Sequence, residues 1–312
     1  GPAGRLTSML ATFSALTPIF LVIALGIGLR HWLARDVSFW RTVERLTYFV
    51  LFPSLLVHRL MTTDLPGNEV TSAILALVIP AVVMALVLIA LRTRLAMKGP
   101  DFPSFLMGSI RFNSYAGLAA AYALYGADGL ALFALLLAVY IPTVNVISTG
   151  VLARYAGQDA APLASVLRAV ITNPIIVACV GGISLNLFGL RLPLVLDNTL
   201  AILGDAALGF GLISVGAALH LESLRLGRRI ITGASVIKLL LLPVLSAVLC
   251  TLFGVEGYAQ GVVVLFAALP CSPAAYVLAR QLGGNAELMA GIITGTTAAA
   301  ILTMPVMLAI LA

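Results

Sequence analysis

Gly108-Ser109-Ile110-Arg111-Phe112-Asn113-Ser114-Tyr115-Ala116-Gly117 sets an arginine, an asparagine and three hydroxyl side chains inside an otherwise apolar run. A second stretch, Ala268-Leu269-Pro270-Cys271-Ser272-Pro273-Ala274-Ala275-Tyr276, interrupts another apolar run with two prolines. Proline removes an amide donor and clashes with the preceding helical turn. At membrane depth, non-helical backbone is tolerated only where it packs in protein or lines a cavity. Both stretches therefore predict helices broken near the bilayer midplane. Two such breaks meeting there would bring half-helix N-termini together, and their amides and positive dipole ends favour an anion. The plainer alternative is that the prolines only kink packed helices.

Composition sets the solvent. The 312 residues are 61% hydrophobic and 10% charged, with a mean hydropathy of +1.12. A soluble domain carries roughly 25% charged residues to hydrate its surface, so lipid is the expected medium. The net charge of +6 is no nucleic-acid signal, because the basic residues lie at the ends of apolar runs and not in an aromatic-laced cluster. Cys179, Cys250 and Cys271 all lie within apolar runs and read as buried small hydrophobes, neither a disulfide framework nor a metal site. Gly1-Pro2 reads as the remnant of a cleaved tag, and no cleavable signal peptide is expected.

A spanning helix needs about 20 apolar residues. Ten apolar segments fit this measure, at 12–30, 39–61, 70–92, 103–125, 129–153, 163–189, 196–219, 230–253, 257–280 and 286–311. Their length and lack of dyad alternation predict helices. The links that follow the odd-numbered segments hold Arg30, Arg35, Arg41, Arg45, Arg92, Arg94, Lys98, Arg154, Arg168, Arg225, Arg228, Arg229 and Arg280. The opposite side holds Arg5, Arg59 and Arg191. This bias predicts that the basic links are cytoplasmic and that both termini lie outside.

The two halves of the chain also resemble each other. The stretch from Pro18 to Leu29 aligns with that from Pro174 to Leu185, matching Pro, Ile, Gly, Ile and Leu at one offset. Leu51-Phe52-Pro53 then falls opposite Gly209-Phe210-Gly211, and Ile141-Pro142 opposite Met304-Pro305. Five helices per repeat is an odd number, so the second copy would lie upside down. The expected fold is an all-α membrane protein of ten transmembrane helices, two inverted five-helix repeats with broken fourth and ninth helices. Inverted repeats are a mark of alternating-access carriers.

The candidate residues follow from cost. A charge at the bilayer centre costs at least ~2.5–3.5 kcal/mol on insertion scales, so Arg111 should face a cavity, a carboxylate or free carbonyls. Its planar fork suits a carboxylate. Asn113 suits either a ligand or the freed backbone. Lys238 either snorkels to the interface, steadies the crossing, or stands in for a coupling cation. Asp205 is the acid placed well inside a segment, and it either carries a proton, faces a vestibule or pairs with a base. Asn145, Thr294, Thr296 and Thr297 add polar atoms that bond either a ligand or neighbouring helices. His58 and His220 are expected at interfaces. No zinc motif, phosphate loop or Walker lysine suggests an enzyme, a metal or a cofactor. A non-transporting receptor or scaffold is the alternative of another class.

The chain resembles the auxin efflux carrier family, which includes malonate-type permeases and is related to plant PIN auxin exporters. The resemblance rests on Leu16-Thr17-Pro18-Ile19-Phe20-Leu21, the block from Leu46 to Leu56, Asn173-Pro174, Lys238-Leu239-Leu240-Leu241-Leu242-Pro243 and Ala279-Arg280-Gln281-Leu282-Gly283-Gly284. It implies a bacterial inner-membrane protein with a fold similar to sodium/proton antiporters and bile-acid symporters. It implies a scaffold of 12–61 and 163–219, a transport domain of 70–153 and 230–311, and homodimers through the scaffold. It also implies a small organic anion as substrate, carried by an elevator-like mechanism. Asn113 matches the family's crossover asparagine. The expected binding set is Arg111, Asn113, Ser114, Asn145, Cys271, Ser272 and Pro273, with Phe52 and Pro53 as scaffold wall. Asp205 and Lys238 serve as coupling or structural charges. The rival within transport is a sodium-coupled symporter of a bile-acid-like anion.

Overall fold

The computed structural model describes residues 2–63, 69–95, 97, 99–156, 168, 171–225 and 227–312, with side chains from residue 9 onward. Among the described residues every regular element is helical. The helices are α1 (Pro2–Trp32), α2 (Val37–Leu46), α3 (Phe52–Thr62), α4 (Glu69–Ala90), α5 (Arg92–Leu95), α6 (Asp101–Ile110) and α7 (Ser114–Tyr155). They continue as α8 (Pro174–Leu187), α9 (Leu194–Ala217), α10 (Arg228–Val236), α11 (Leu242–Phe253), α12 (Gly257–Ala268), α13 (Ala274–Gln281) and α14 (Ala286–Leu311).

Six helical stretches are long and apolar enough to cross a membrane: Met9–Trp32, Glu69–Ala90, Asp101–Tyr155, Leu194–Ala217, Arg228–Phe253 and Ala286–Leu311. The difference from ten has local causes. Asp101–Tyr155 holds 55 residues, runs through α6, a break at 111–113 and α7, and contains both the fourth and fifth expected segments. They meet at Gly126, whose φ of 66° is open to glycine and breaks the helical path. The second expected segment is divided between α2 and α3. Of the sixth, the described residues include α8, 14 residues beginning after the cap Asn173; positions 163–167, 169 and 170 lie outside the described residues, as does Lys98. The ninth divides into α12 and α13 around the break. The first extends back to Pro2, well before residue 12.

Two of these chain paths carry the same device. A π-helical turn, Thr47–Leu51, precedes Phe52-Pro53, and another, Ile237–Leu241, precedes Leu242-Pro243. A proline inside an α-helix collides with the carbonyl four residues back. The widened turn relieves that collision without ending the helix, and such turns recur at functional sites.

Packing falls into two groups. α3 packs mainly on α8 and α9, and α1 on α9. α11 packs on α4 and α12, α12 on α7, and α10 on α14. α1 and α9 run parallel: Gly26 faces Gly216, and one turn on, Arg30 reaches His220. Arg30 Nη1 donates to the carbonyls of Ala217 (2.8 Å) and Leu219 (3.3 Å), so it closes the C-terminal end of α9.

Candidate functional site

The two interruptions touch. α6 stops at Ile110, and Arg111 and Asn113 are extended before α7 begins at Ser114. α12 stops at Ala268, and α13 begins at Ala274. The Asn113 amide donates to the Pro270 carbonyl at 2.9 Å, joining one break to the other.

Each half-helix ending at this junction has its carbonyl end closed by a donor from elsewhere. Tyr140 Oη donates to Ile110 O at 3.0 Å. Lys238 Nζ donates to Ala267 O at 2.6 Å. Lys238 is fully buried, so it does not snorkel. The π-turn at Ile237–Leu241 carries it, and its ammonium faces the negative dipole end of α12. Of the three readings of Lys238, the contact with Ala267 O fits the one in which it steadies the crossing.

The half-helices that begin at the junction are capped more fully than the sequence suggests. Asn113 Oδ1 accepts from the amides of Tyr115 (3.1 Å) and Ala116 (3.2 Å). Ser272 Oγ accepts from Ala274 N at 3.2 Å, and Ser272 O from Ala275 N at 3.0 Å. Cys271 N donates to Thr296 Oγ1 at 3.1 Å. The expectation that free backbone amides favour an anion is narrowed: Asn and Ser side chains take the amides of Tyr115, Ala116 and Ala274, as such side chains do at helix starts generally.

Two side-chain donors are left over instead. Asn113 is 1% exposed, and its Nδ2 is buried without a partner. Arg111 Nε is also buried without one. The same guanidinium is aimed by its Nη1, which donates to Asn145 Oδ1 at 2.9 Å and Ser148 Oγ at 3.3 Å. Asn145 and Ser148 lie three apart on α7 and so share a face. An unpaired buried donor costs about 1–3 kcal/mol, more when charged. Two such donors lie at this junction.

The surroundings are aromatic. Phe52, at the end of the first π-turn, stacks on Tyr115 with centroids 4.7 Å apart and planes 7° from parallel. Pro53 beside it is half-buried. Gly211 lies against this pair: a Cβ there would come within 2.9 Å of the Phe52 ring and 3.2 Å of Tyr115 Cβ. Phe112 and Phe266 lie 4.3 Å apart, and Tyr140 lies within 5.1 Å of Phe112 and 4.9 Å of Phe266. Cys271 is buried within electrostatic reach of both Arg111 and Lys238, and Tyr48 on the first π-turn within reach of Arg111. Ser114, Ser272 and Pro273 are half-buried at the two helix starts.

Of the other candidates, Thr296 alone is seen to bond the junction, through Cys271 N. The Asp205 side chain is 74% exposed and lies 3.8 Å from Arg59. Exposure fits the readings in which it faces a vestibule or pairs with a base rather than the one that rests on burial. Thr294, Thr296 and Thr297 each bond a carbonyl of their own helix. His58 Nδ1 lies 2.7 Å from Asp197 Oδ1, with no metal-like cluster among the described residues. Sequence reading missed Tyr140, Ser148 and Tyr115 as members of the junction. Only Ser148 left a signal, as the second polar residue on the Asn145 face of an apolar helix.

His220, just past α9, ties the two packing groups at one end of the protein. Its Nδ1 lies 2.9 Å from Ala218 O and its Nε2 3.3 Å from Arg30 Nη2. A carbonyl only accepts and a guanidinium only donates, so the imidazole is neutral with its proton on Nδ1. Its backbone amide donates to Thr294 Oγ1 of α14 at 3.0 Å. Burial, and then the Arg30 charge, hold its pKa below the ordinary value of 6.5. The unfolded chain therefore takes up a proton at a higher pH than the folded one. The stability is present above 6.5 and is lost as pH falls toward the lowered folded value. His220→Gln should remove that component from the melting temperature followed between pH 8 and 5. Superimposable wild-type and variant profiles would refute the assignment.

No curated protein matches the chain. A family profile does match, over residues 11–308, nearly the whole length. With apolar helices that suit a bilayer and two broken helices joined through their breaks, this leaves one identification: the chain belongs to the Mem_trans family of membrane transport proteins.

Proposed function

We propose that the protein carries a small organic anion, a dicarboxylate or an auxin-like carboxylate, across a bacterial inner membrane by an elevator type of alternating access. One observation supports this above the rest: Asn113 Nδ2 and Arg111 Nε, two residues apart at the junction of the breaks, are buried N–H donors without acceptors. A carboxylate supplies acceptors only, and the guanidinium supplies the compensating charge. In this reading Ser114, Cys271, Ser272 and Pro273 line the site. Asn145 holds Arg111 in place, and Phe52 with Pro53 forms the opposing wall.

Ten crossings in two inverted repeats, with termini outside, account for the basic links. The packing groups support a scaffold of 12–61 and 163–219 and a moving body of 70–153 and 230–311. All the polar site residues lie on the second body, while Phe52 and Pro53 lie on the first. The Phe52–Tyr115 stack is then a contact that sliding must break and remake. Large apolar side chains exposed on α8 and α9, among them Val177, Val180, Leu194 and Ile202, suit lipid or a second copy at the scaffold. Arg111 and Lys238 put two cations at the crossing, which disfavours a resident sodium ion.

Proteoliposome uptake of labelled malonate, succinate and indole-3-acetate tests the proposal. Saturable uptake of at least one, competed by the others and independent of sodium, is expected. Uptake that requires sodium would favour the symporter reading. Binding without flux would favour a receptor.

A further inference from the structure

A second built feature lies away from the junction. Between the last two turns of α4 and the last three of α7 runs an apolar groove of about 300 Å³, walled by Val82, Leu86, Ile89, Val146, Gly150 and Val151. Its end is basic. Arg154 and Tyr155 line it. The Arg92 guanidinium lies 4.3 Å from the Tyr155 ring centre, and that of Arg154 5.5 Å from the same ring. Two cations thus lie within cation–π reach of one ring, and neither has a carboxylate partner among the described residues. Arg92 Nε is buried and has no acceptor. The groove follows α4 and α7 lengthwise, and its basic end coincides with the ends of both helices, where the arginine-rich links begin.

We propose that this groove holds one anionic phospholipid, an acyl chain lying against α4 and α7 and the phosphate between Arg92 and Arg154. The charge pattern selects the occupant: an aliphatic trough fits any lipid chain, but two guanidiniums on a shared tyrosine fit only a headgroup with net negative charge. The arrangement explains why Arg92 is held by two rings, Tyr155 and Phe102 (5.7 Å), and by no acid. Gly150 shapes the trough, since a Cβ there would meet nothing within 4 Å. The opposite face of this part of α7 carries Asn145 and Ser148, which aim Arg111, so the lipid braces the helix that positions the site.

The test is thermal unfolding of delipidated protein in a neutral detergent, titrated with phosphatidylglycerol, with phosphatidylcholine of the same chains, or with glycerol phosphate. Phosphatidylglycerol should raise the melting temperature saturably by a few degrees, and the other two should not. Native mass spectrometry of the same samples should retain one phosphatidylglycerol in preference to phosphatidylcholine. Arg92→Gln and Arg154→Gln should each weaken the effect roughly tenfold, the size of one charge-assisted contact. Gly150→Leu fills open space, so it should fold as wild type in detergent alone yet lose the lipid response. Equal shifts with phosphatidylcholine overturn the headgroup assignment. A full response in the double arginine variant, or in Gly150→Leu, overturns the site. A response to glycerol phosphate alone shows an anion site without a chain and overturns the lipid. Mass spectra of the wild type decide the matter even if a variant does not fold.

Discussion

Asn113→Asp should lower anion affinity by roughly 10- to 100-fold and reduce uptake in proportion, while the melting temperature stays near that of wild type. The substitution separates the two jobs of one side chain. Oδ1 caps α7 through Tyr115 N and Ala116 N, and an aspartate oxygen does this equally well. Nδ2 is the buried donor without a partner, and aspartate replaces its N–H by an oxygen. An anion held there loses a hydrogen bond of about 1.5–3 kcal/mol for a charged acceptor, which is the stated range of affinity, and meets a like charge in addition. Asn113→Ala should lose less affinity but more stability, about 1 kcal/mol for the missing cap. Arg111→Lys should resemble Arg111→Gln and not the wild type. A lysine cannot keep Nη1 on Asn145 and Ser148 and still present a second N–H at the Nε position. Isothermal titration with the transported anion measures each. Wild-type affinity in Asn113→Asp would place the substrate elsewhere.

The breaks were legible in the sequence because their residue types are costly in lipid. Polar and proline residues at 108–117 and 268–276 had to interrupt helices, and they do so within a residue or two of the expected places. What the chain does with the freed backbone was not legible. Asn113 was weighed as a ligand contact or a cap; its Oδ1 caps α7, and its Nδ2 is left without a partner. Lys238 sits at a depth from which a flexible stem reaches either water or a neighbouring carbonyl, and only the packing of α12 beside its π-turn decides between them. Tyr140 looks like any core aromatic, because its one polar contact, Ile110 O, is 30 positions away. Asp205 stayed open for the opposite reason: a segment's hydropathy says nothing about which face an acid takes, and this one is exposed beside Arg59. At Gly126 a single positive-φ residue kinks the chain between the fourth and fifth expected helices without a loop.

The largest effect on folding is expected at Gly216. A Cβ built there meets the carbonyl oxygen of Ile23 and lies 3.0 Å from Gly26 Cα, and one built at Gly26 meets the carbonyl of Ile213. These obstacles are backbone, so no rotamer change relieves them and α1 and α9 must move apart. Helices in lipid gain little from burying apolar surface and associate through close packing, so the separation removes what holds this pair together. It also draws Arg30 away from Ala217 O and Leu219 O, leaving the end of α9 open. Overpacking typically costs about 1–3 kcal/mol even where side chains can adjust. Gly216→Ala should therefore lower the melting temperature by several degrees, and Gly216→Leu should yield no monodisperse protein on size exclusion. Gly209→Ala is the matched control on the same helix. Its Cβ meets nothing within 4 Å, so it should leave stability unchanged or raise it by up to about 1 kcal/mol through helix propensity. If Gly216→Leu elutes and melts like the wild type, α1 and α9 are not in this contact, and the pairing that anchors one of the two packing groups is wrong.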